Sequence, residues 1–558
     1  MIRENIIKAV RASLNALDIE AESVELEHPG DTYNGDFSSN IALILGKKSK
    51  KNPKDLAEEI VRNIKKIPEV EKIDTARQGF INFYLSKDFF ARTIENVLKK
   101  EEVWGSNNAL TGKKVMIEYT SPNLFKPLHV GNLMSNIIGE SLARLAEISG
   151  AEVKRFNYPS DIGLTVAKAV WGVRKSQADP GDIQALGVAY RDGNTAYENS
   201  EEAKKEIEEI NKKLYEQSDE HLNKIYKKGR ATSLQHLLKI CRILGTKQFD
   251  FEFFESQSGP RGLKVVLNHI KDGIFEKSDG AVIFRGEPYG LHTEVFVNSQ
   301  GLPTYGAKDI GVASYKREVY SSDLSIIETG AEQKRYFEVV FKASEAIYPD
   351  LAGKQKHIGH GFLTLTTGKM SSRKGNVLTG ESIIESLREA ALHKVGERSL
   401  KDEKITIADA VAVSAIKYQV LKQTTGRDII FDSDNSLSFE GDSGPYLQYT
   451  HARILSLLEK GKNEEVKEKA ASPEEITDID RLLYRFPEVV ERAIKEYEPH
   501  YVTNYLTELA GAFNSWYGQG KILDGTKYAE HKLALAHTVA ITLRNGLWLL
   551  GIEAPKRM

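Results

Sequence analysis

The chain has 558 residues, with 77 Lys and Arg against 79 Asp and Glu, so its formal net charge of −2 excludes a uniformly basic nucleic-acid coat and leaves room only for local basic patches. Hydrophobic residues make up 41%, enough for sizeable cores and too many for a disordered chain, and the length leads us to expect roughly three or four domains. A single cysteine, Cys241, excludes an internal disulfide framework and a multi-cysteine zinc or iron–sulfur centre, and it fits a reducing compartment.

The opening MIRENIIKAVRASL places apolar residues at helical spacing, broken by Arg3, Glu4, Lys8 and Arg11, which predicts a helix and no secretory signal. In NPKDLAEEIVRNI, Asn52 can cap a helix with Pro53 at its first position. GFINFYL (79–85) alternates like a strand. These segments predict a small α/β unit over residues 1–106, joined to the next domain by the charged stretch KKEEVWGSNNALTGKK.

KVMIEYTS (114–121) reads as a strand. It leads through Pro122 and Pro127 into a helix whose apolar face is Ile137, Ile138, Leu142 and Leu145, stopped by Gly150. Strand, loop and helix start in that order open a Rossmann-type α/β nucleotide-binding fold, expected over 107–400. Residues 199–229 are highly charged with a narrow stripe of Ile207, Ile210 and Leu214, which predicts a solvent-facing helical insertion within about 180–245. Short β-like runs come next, such as GAVIF and HTEVFV. From about residue 405 the pattern is helical: Leu482, Phe486, Val489, Val490 and Ala493 recur at helical spacing, as do Val502, Leu506, Leu509 and Phe513. An all-helical bundle is expected over 401–558. The nearest candidate for a bilayer span, 533–551, is interrupted by His537, Arg544 and Asn545, so no membrane association is expected and the protein reads as cytoplasmic.

Two strings carry chemistry. His129-Val130-Gly131-Asn132 lies at the strand-to-helix junction, where free N–H groups and a partial positive charge suit phosphate, and Gly131 lets a ligand approach the backbone. Gly368-Lys369-Met370-Ser371-Ser372-Arg373-Lys374-Gly375-Asn376 sets cations and hydroxyls between glycines with no hydrophobic periodicity, a composition able to wrap a polyphosphate. Either alone is weak: the first is most often a surface turn and the second a basic loop.

In this order the two resemble the signatures of class I aminoacyl-tRNA synthetases. The surrounding EYTSPNLFKPLHVGNLMSNIIGE resembles the first signature of the arginyl-tRNA synthetase family. GLPTYGAKDI, TGAEQKRYF, GKMSSRKGN, FEGDSGPYLQYTHARI and GLWLLGIEAPKRM resemble that family's later blocks, and GDFSSNIAL with GFINFYL resemble its appended N-terminal domain, so the resemblance spans nearly the whole chain.

The resemblance implies ligation of L-arginine to its tRNA: arginine and ATP give arginyl-adenylate and pyrophosphate, and the arginyl group then passes to the terminal adenosine. It implies ATP as co-substrate with Mg²⁺, no metal held by protein ligands, and bound tRNA for the first step; separately, the chain is expected to be a monomer. It assigns His129, Gly131 and Asn132 to the phosphates together with Lys369, Met370 and Ser371 of the second string. Glu118, Ser121, Pro122, Asn123, Asn132, Tyr305, Asp309 and Gln333 match its arginine-binding positions. Among these, Asp309 and Glu118 are the carboxylates able to form a fork for a guanidinium. Tyr446, Tyr449 and Arg453 match positions that contact tRNA. Trp516, with Asn514 and Tyr517, could stack on unpaired bases, although such aromatics more often fill a core.

Three residues depart from the family pattern. Asn132 replaces the histidine that usually ends the first signature, Ser372 replaces the second lysine of the basic loop, and Tyr336 stands where many members carry histidine. Lys126, three residues before His129, is the candidate to supply the cation missing at Ser372. A catalytically silent tRNA-binding paralogue is the alternative that Asn132 and Ser372 keep open. A small nucleotidyltransferase would need no helical bundle, and a cysteinyl-tRNA synthetase would need zinc ligands that one cysteine does not supply.

Overall fold

The computed structural model describes residues 2–76, 78–366, 379–394 and 401–558. It divides into two compact units, one of Met1–Trp104 with Ile454–Phe486 and Gly511–Thr542, the other of Gly105–Arg453 with Pro487–Ala510 and Leu543–Met558.

In the first unit the opening helix is Ile2–Ala16, and an antiparallel sheet runs in the order Phe37–Ser39, Ile81–Leu85, Val70–Thr75. The helix Pro53–Asn63 starts as its sequence predicts: Asn52 accepts a hydrogen bond from the Lys54 N–H and Pro53 takes the first position. Ile6, Val10, Phe37, Leu56, Ile60 and Phe83 are fully buried, and Tyr484 joins the same core. Buried Asp36 accepts from the Leu85 N–H at 2.8 Å and from Arg481 Nε at 3.1 Å, so its charge is hydrogen-bonded and paired inside this unit.

The second unit is built on five parallel strands: β1 (Lys114–Glu118), β2 (Glu152–Asn157), β3 (Phe251–Glu252), β4 (Leu324–Gly330) and β5 (Gln355–His360). Their spatial order is β5-β4-β1-β2-β3, with Ile327 opposite Glu118 and Glu118 opposite Phe156. This is the doubly wound order, which places a crevice at the carboxyl ends of β1 and β4, where the chain leaves the sheet in opposite directions.

Helix α1 (Val130–Ile148) follows β1. The sequence predicts one apolar face, but every residue from Asn132 to Ala146 is buried. Its polar side is tolerated because it is paired: Glu140 accepts from Arg144 Nε at 2.7 Å, Arg155 Nε at 2.9 Å and the Tyr119 hydroxyl at 2.7 Å. Burial pushes this carboxyl up, but the hydrogen bonds and charges of Arg155 and Arg144 win and hold it at about 2. Gly139 permits the close approach of α1 to the sheet, since a Cβ there would lie 2.3 Å from the Tyr119 ring.

The charged stretch after residue 199 folds as helices Glu201–Glu216 and Glu220–Ile243, which bury Ile207, Ile210, Leu214, Leu222 and Ile225 against Val166, Val170 and Leu186 of the helices Leu164–Ser176 and Ile183–Asn199. The narrow stripe is thus a core, and the charges face outward. The β-like runs form an antiparallel meander, Glu276–Ser278, Ala281–Phe284 and Glu294–Val297. Helices α2 (Tyr305–Val319) and α3 (Lys334–Ile347) flank β4 in sequence. Among the described residues no helix is long and apolar enough to cross a membrane.

Candidate functional site

The turn between β1 and α1 is strained and heavily tied down. Thr120, Ser121 and Phe125 take left-handed backbone angles, with φ of 74°, 33° and 65°. A β-branched residue such as Thr120 is costly there, on the order of 1–3 kcal/mol. Three side chains at the start of α1 hold it: the Thr120 N–H donates to Ser135 Oγ at 2.9 Å, Asn132 Nδ2 donates to the Thr120 carbonyl at 3.0 Å, and Asn136 Nδ2 donates to Thr120 Oγ1 at 2.9 Å. Ser135 Oγ in turn donates to the Glu328 carbonyl on β4 at 3.1 Å. On the other side the Tyr158 N–H donates to Ser121 Oγ at 3.3 Å, the Ser160 N–H donates to the Pro122 carbonyl at 2.9 Å, and Asn123 bridges Ser160.

This turn presents the first residues of α1 to the crevice. His129 is the N-cap residue, and its Nδ1 accepts from the Asn132 N–H at 3.3 Å. Its proton therefore sits on Nε2, which is left as a donor. Burial, then the charges of Lys126 and His360, push the imidazole down to about 4, so it works as a neutral donor at neutral pH. A Cβ on Gly131 would stand 3.0 Å from the His129 ring and 3.8 Å from that of His360, which closes this side of the helix start to larger residues. The Lys126 ammonium lies 4.7 Å from the Tyr190 ring centre and has no carboxylate partner among the described residues; burial lowers its affinity for its proton. Among the residues expected at the phosphates, Lys369, Met370 and Ser371 lie outside the described residues, with Ser372 beside them.

A second group gathers around Asp309 on α2. Tyr305 opens that helix and is 68% exposed, one turn before half-buried Asp309. The Tyr336 hydroxyl of α3 donates to Asp309 Oδ2. Burial, then the charges of Glu118 and Glu255 against the Tyr336 hydrogen bond, raise the Asp309 carboxyl to about 7. The neighbouring acids carry their own cations: Glu118, at the end of β1, pairs with buried Lys316 at 2.6 Å, and Glu255 pairs with Lys308 at 2.9 Å. Tyr158 faces the same three carboxylates and shares a 2.6 Å hydrogen bond with Ser258. Gln333 is half-buried between β4 and α3 and makes no side-chain hydrogen bond among the described residues.

The two groups share one turn, since Thr120 is gripped by Asn132 and its neighbour Ser121 is gripped by the backbone of Tyr158. Sequence reasoning missed Tyr158, Glu255, Lys308 and Lys316. Lys308 and Lys316 share α2 with Asp309, one beside it and the other two turns on, whereas the parallel sheet brings Tyr158 and Glu255 to it, and no local motif marks the pairing of these acids and lysines.

The residues matched to tRNA contacts lie apart from this turn in sequence. On the helix Gly444–Asn463, Arg453 donates to the Tyr449 hydroxyl at 3.1 Å with its guanidinium 4.7 Å from that ring, and Tyr446 is half-buried. In the first unit Trp516 is half-buried with its ring 6.0 Å from that of Phe513, while Tyr517 is 38% exposed.

Comparison with known proteins gives three family matches in chain order: the arginyl tRNA synthetase N terminal domain over residues 2–85, the catalytic domain of class I tRNA synthetases (R) over 93–433, and the DALR anticodon binding domain over 447–558. The arginine–tRNA ligase of Archaeoglobus fulgidus is 31% identical over 540 residues, covering 95% of this chain and 96% of that relative. That of Halothermothrix orenii is 29% identical over 573 residues, covering 100% and 99%. The solved arginyl-tRNA synthetase of Thermus thermophilus superposes with a TM-score of 0.83 at 24% identity over 100% of both chains, a likeness of fold.

Proposed function

The chain belongs to the arginyl-tRNA synthetase family of class I, and from that membership we propose that it is an arginine–tRNA ligase, activating L-arginine with ATP and transferring it to the 3′ end of its tRNA. Asp309 carries this reading. It is the one member of a trio of carboxylates without a lysine in ion-pair contact among the described residues, and a planar cation is the ligand that such a charge lacks.

The arginine carboxylate attacks the α-phosphate, so positioning and charge neutralisation do most of the work. His129 donates from Nε2 to a phosphate oxygen, and the amides around Gly131 serve the same anion at the start of α1. Lys126 supplies the cation that Ser372 does not, with Lys369, Met370 and Ser371 at the pyrophosphate end. Tyr305, Asp309, Gln333, Ser121, Pro122 and Asn123 form the arginine pocket. Glu118 contributes through the field of its pair with Lys316, since that ion pair already occupies its carboxylate. Asn132 acts from behind, by holding the Thr120 carbonyl and with it the turn. Mg²⁺ would accompany ATP and supply charge neutralisation at its phosphates.

Residues 1–106 form the appended tRNA-binding domain, 107–400 the catalytic domain and 401–558 the anticodon-binding domain, in which Tyr446, Tyr449, Arg453 and Trp516 meet RNA. A protein of net charge −2 must gather cations on one face to do this, so tRNA binding weakens steeply with salt. The protein works as a cytoplasmic monomer. Pyrophosphate exchange with arginine, ATP and arginine tRNA tests the proposal: exchange that depends on arginine supports it, whereas tRNA binding without exchange marks a silent paralogue.

A further inference from the structure

Three carboxylates meet at the proposed guanidinium pocket, and they are compensated unequally. Glu118 has Lys316 and Glu255 has Lys308, at 2.6 and 2.9 Å. Asp309 has no lysine in ion-pair contact among the described residues, and its side-chain hydrogen bond there comes from the hydroxyl of Tyr336, a residue of α3 with no part in the chemical steps at the phosphates. We propose that Tyr336 is a positioning residue for arginine selection: its hydroxyl fixes Asp309 through Oδ2 so that the carboxylate meets the guanidinium already oriented, and as a neutral donor it leaves the Asp309 charge for the substrate. The proposal rests on the reading of Asp309 as the guanidinium partner.

The chemistry of the donor matters here. A lysine in place of Tyr336 would orient Asp309 equally well but would cancel its charge, as Lys316 and Lys308 do for the other two acids. A phenol cannot do so while it keeps its proton. Burial, then the adjacent Asp309, push the Tyr336 hydroxyl well above its ordinary range, so it stays protonated and can only donate. The groups facing Asp309 are Tyr336 from α3, Tyr158 from the segment after β2, Glu118 from β1, Glu255 from the helix Glu255–Asn268 and Lys316 from α2 itself. Of these, the Tyr336 hydrogen bond and Lys316 favour the charged carboxylate, and the two acids oppose it.

The test uses the full chain with ATP and arginine tRNA. Tyr336→Phe is expected to raise the KM for arginine about tenfold, with kcat and the KM for ATP changed by less than about twofold. In the unmodified protein kcat/KM for arginine is expected to fall on the acid side of about pH 7 as Asp309 takes a proton. Removing the donor that favours the anion moves this limb up by about one pH unit. Tyr336→His, assayed at about pH 8 where imidazole is a neutral donor, is expected to keep the KM for arginine within about threefold. It also decides the matter should the phenylalanine variant not fold. An unchanged arginine KM with an unmoved acid limb in Tyr336→Phe overturns the proposal, and so does a histidine variant impaired tenfold or more. If the unmodified protein activates no arginine, the underlying reading of Asp309 fails instead.

Discussion

The two groups that share the β1–α1 turn are built on opposite electrical plans. At the start of α1 the side chains are cations or neutral donors: Lys126 without a described carboxylate partner, and His129 kept neutral with Nε2 as donor. Around Asp309 the plan is anionic, with two acids already neutralised by lysines and a third left over. On the proposed assignment, these two fields suit a substrate pair that is itself polar, a polyphosphate and a guanidinium, and each repels the wrong partner.

If the plans are independent, changes at one end leave the other substrate's KM alone. Asp309→Ala is the largest expected effect: kcat/KM for arginine falls by roughly a thousandfold, about 4 kcal/mol, with the KM for ATP nearly unchanged in steady-state charging. A comparable rise in the ATP KM would break the comparison. His129→Ala comes next. It slows pre-steady-state adenylate formation roughly a hundredfold, about 2.7 kcal/mol, without weakening arginine binding.

Lys126→Ala sharpens the comparison further. It is expected to slow adenylate formation by roughly thirtyfold, about 2 kcal/mol, with little loss of melting temperature, because this lysine gives up its contact with the Tyr190 ring but no described ion pair. Near-normal activity would remove Lys126 from the phosphate end. The smallest effect belongs to Asn132→Ala, which frees the Thr120 carbonyl. Unfolding stability drops by about 1–1.5 kcal/mol, measured by denaturant titration, and both substrates suffer by a few-fold because the shared turn loosens.

The same contrast accounts for what was legible in the sequence. The strand, turn and helix start were readable because they are local: β1, the turn and the four residues His129 to Asn132 are contiguous, and the capping logic applies within one turn of helix. Tyr305 and Asp309 entered through the family resemblance, and they do lie one turn apart on a helix. The lysines and acids that compensate one another were not readable. Lys316 reaches Glu118 from almost two hundred positions away, and Glu255 opens a helix with no unusual composition. Periodicity failed at α1 for a different reason: the Glu140 network lets a polar helix side be buried, so its apolar face understates its burial. Asn132 reads as a weaker donor to phosphate in sequence, whereas in the fold its amide is spent on Thr120.

The most direct test of the central claim is a charging assay with total tRNA, ATP and each amino acid in turn. Arginine is predicted to be the amino acid attached, with lysine rejected although it carries the same charge, because a single ammonium does not match the carboxylate geometry as a guanidinium does. Attachment of another amino acid at a comparable rate, or of none, would contradict it.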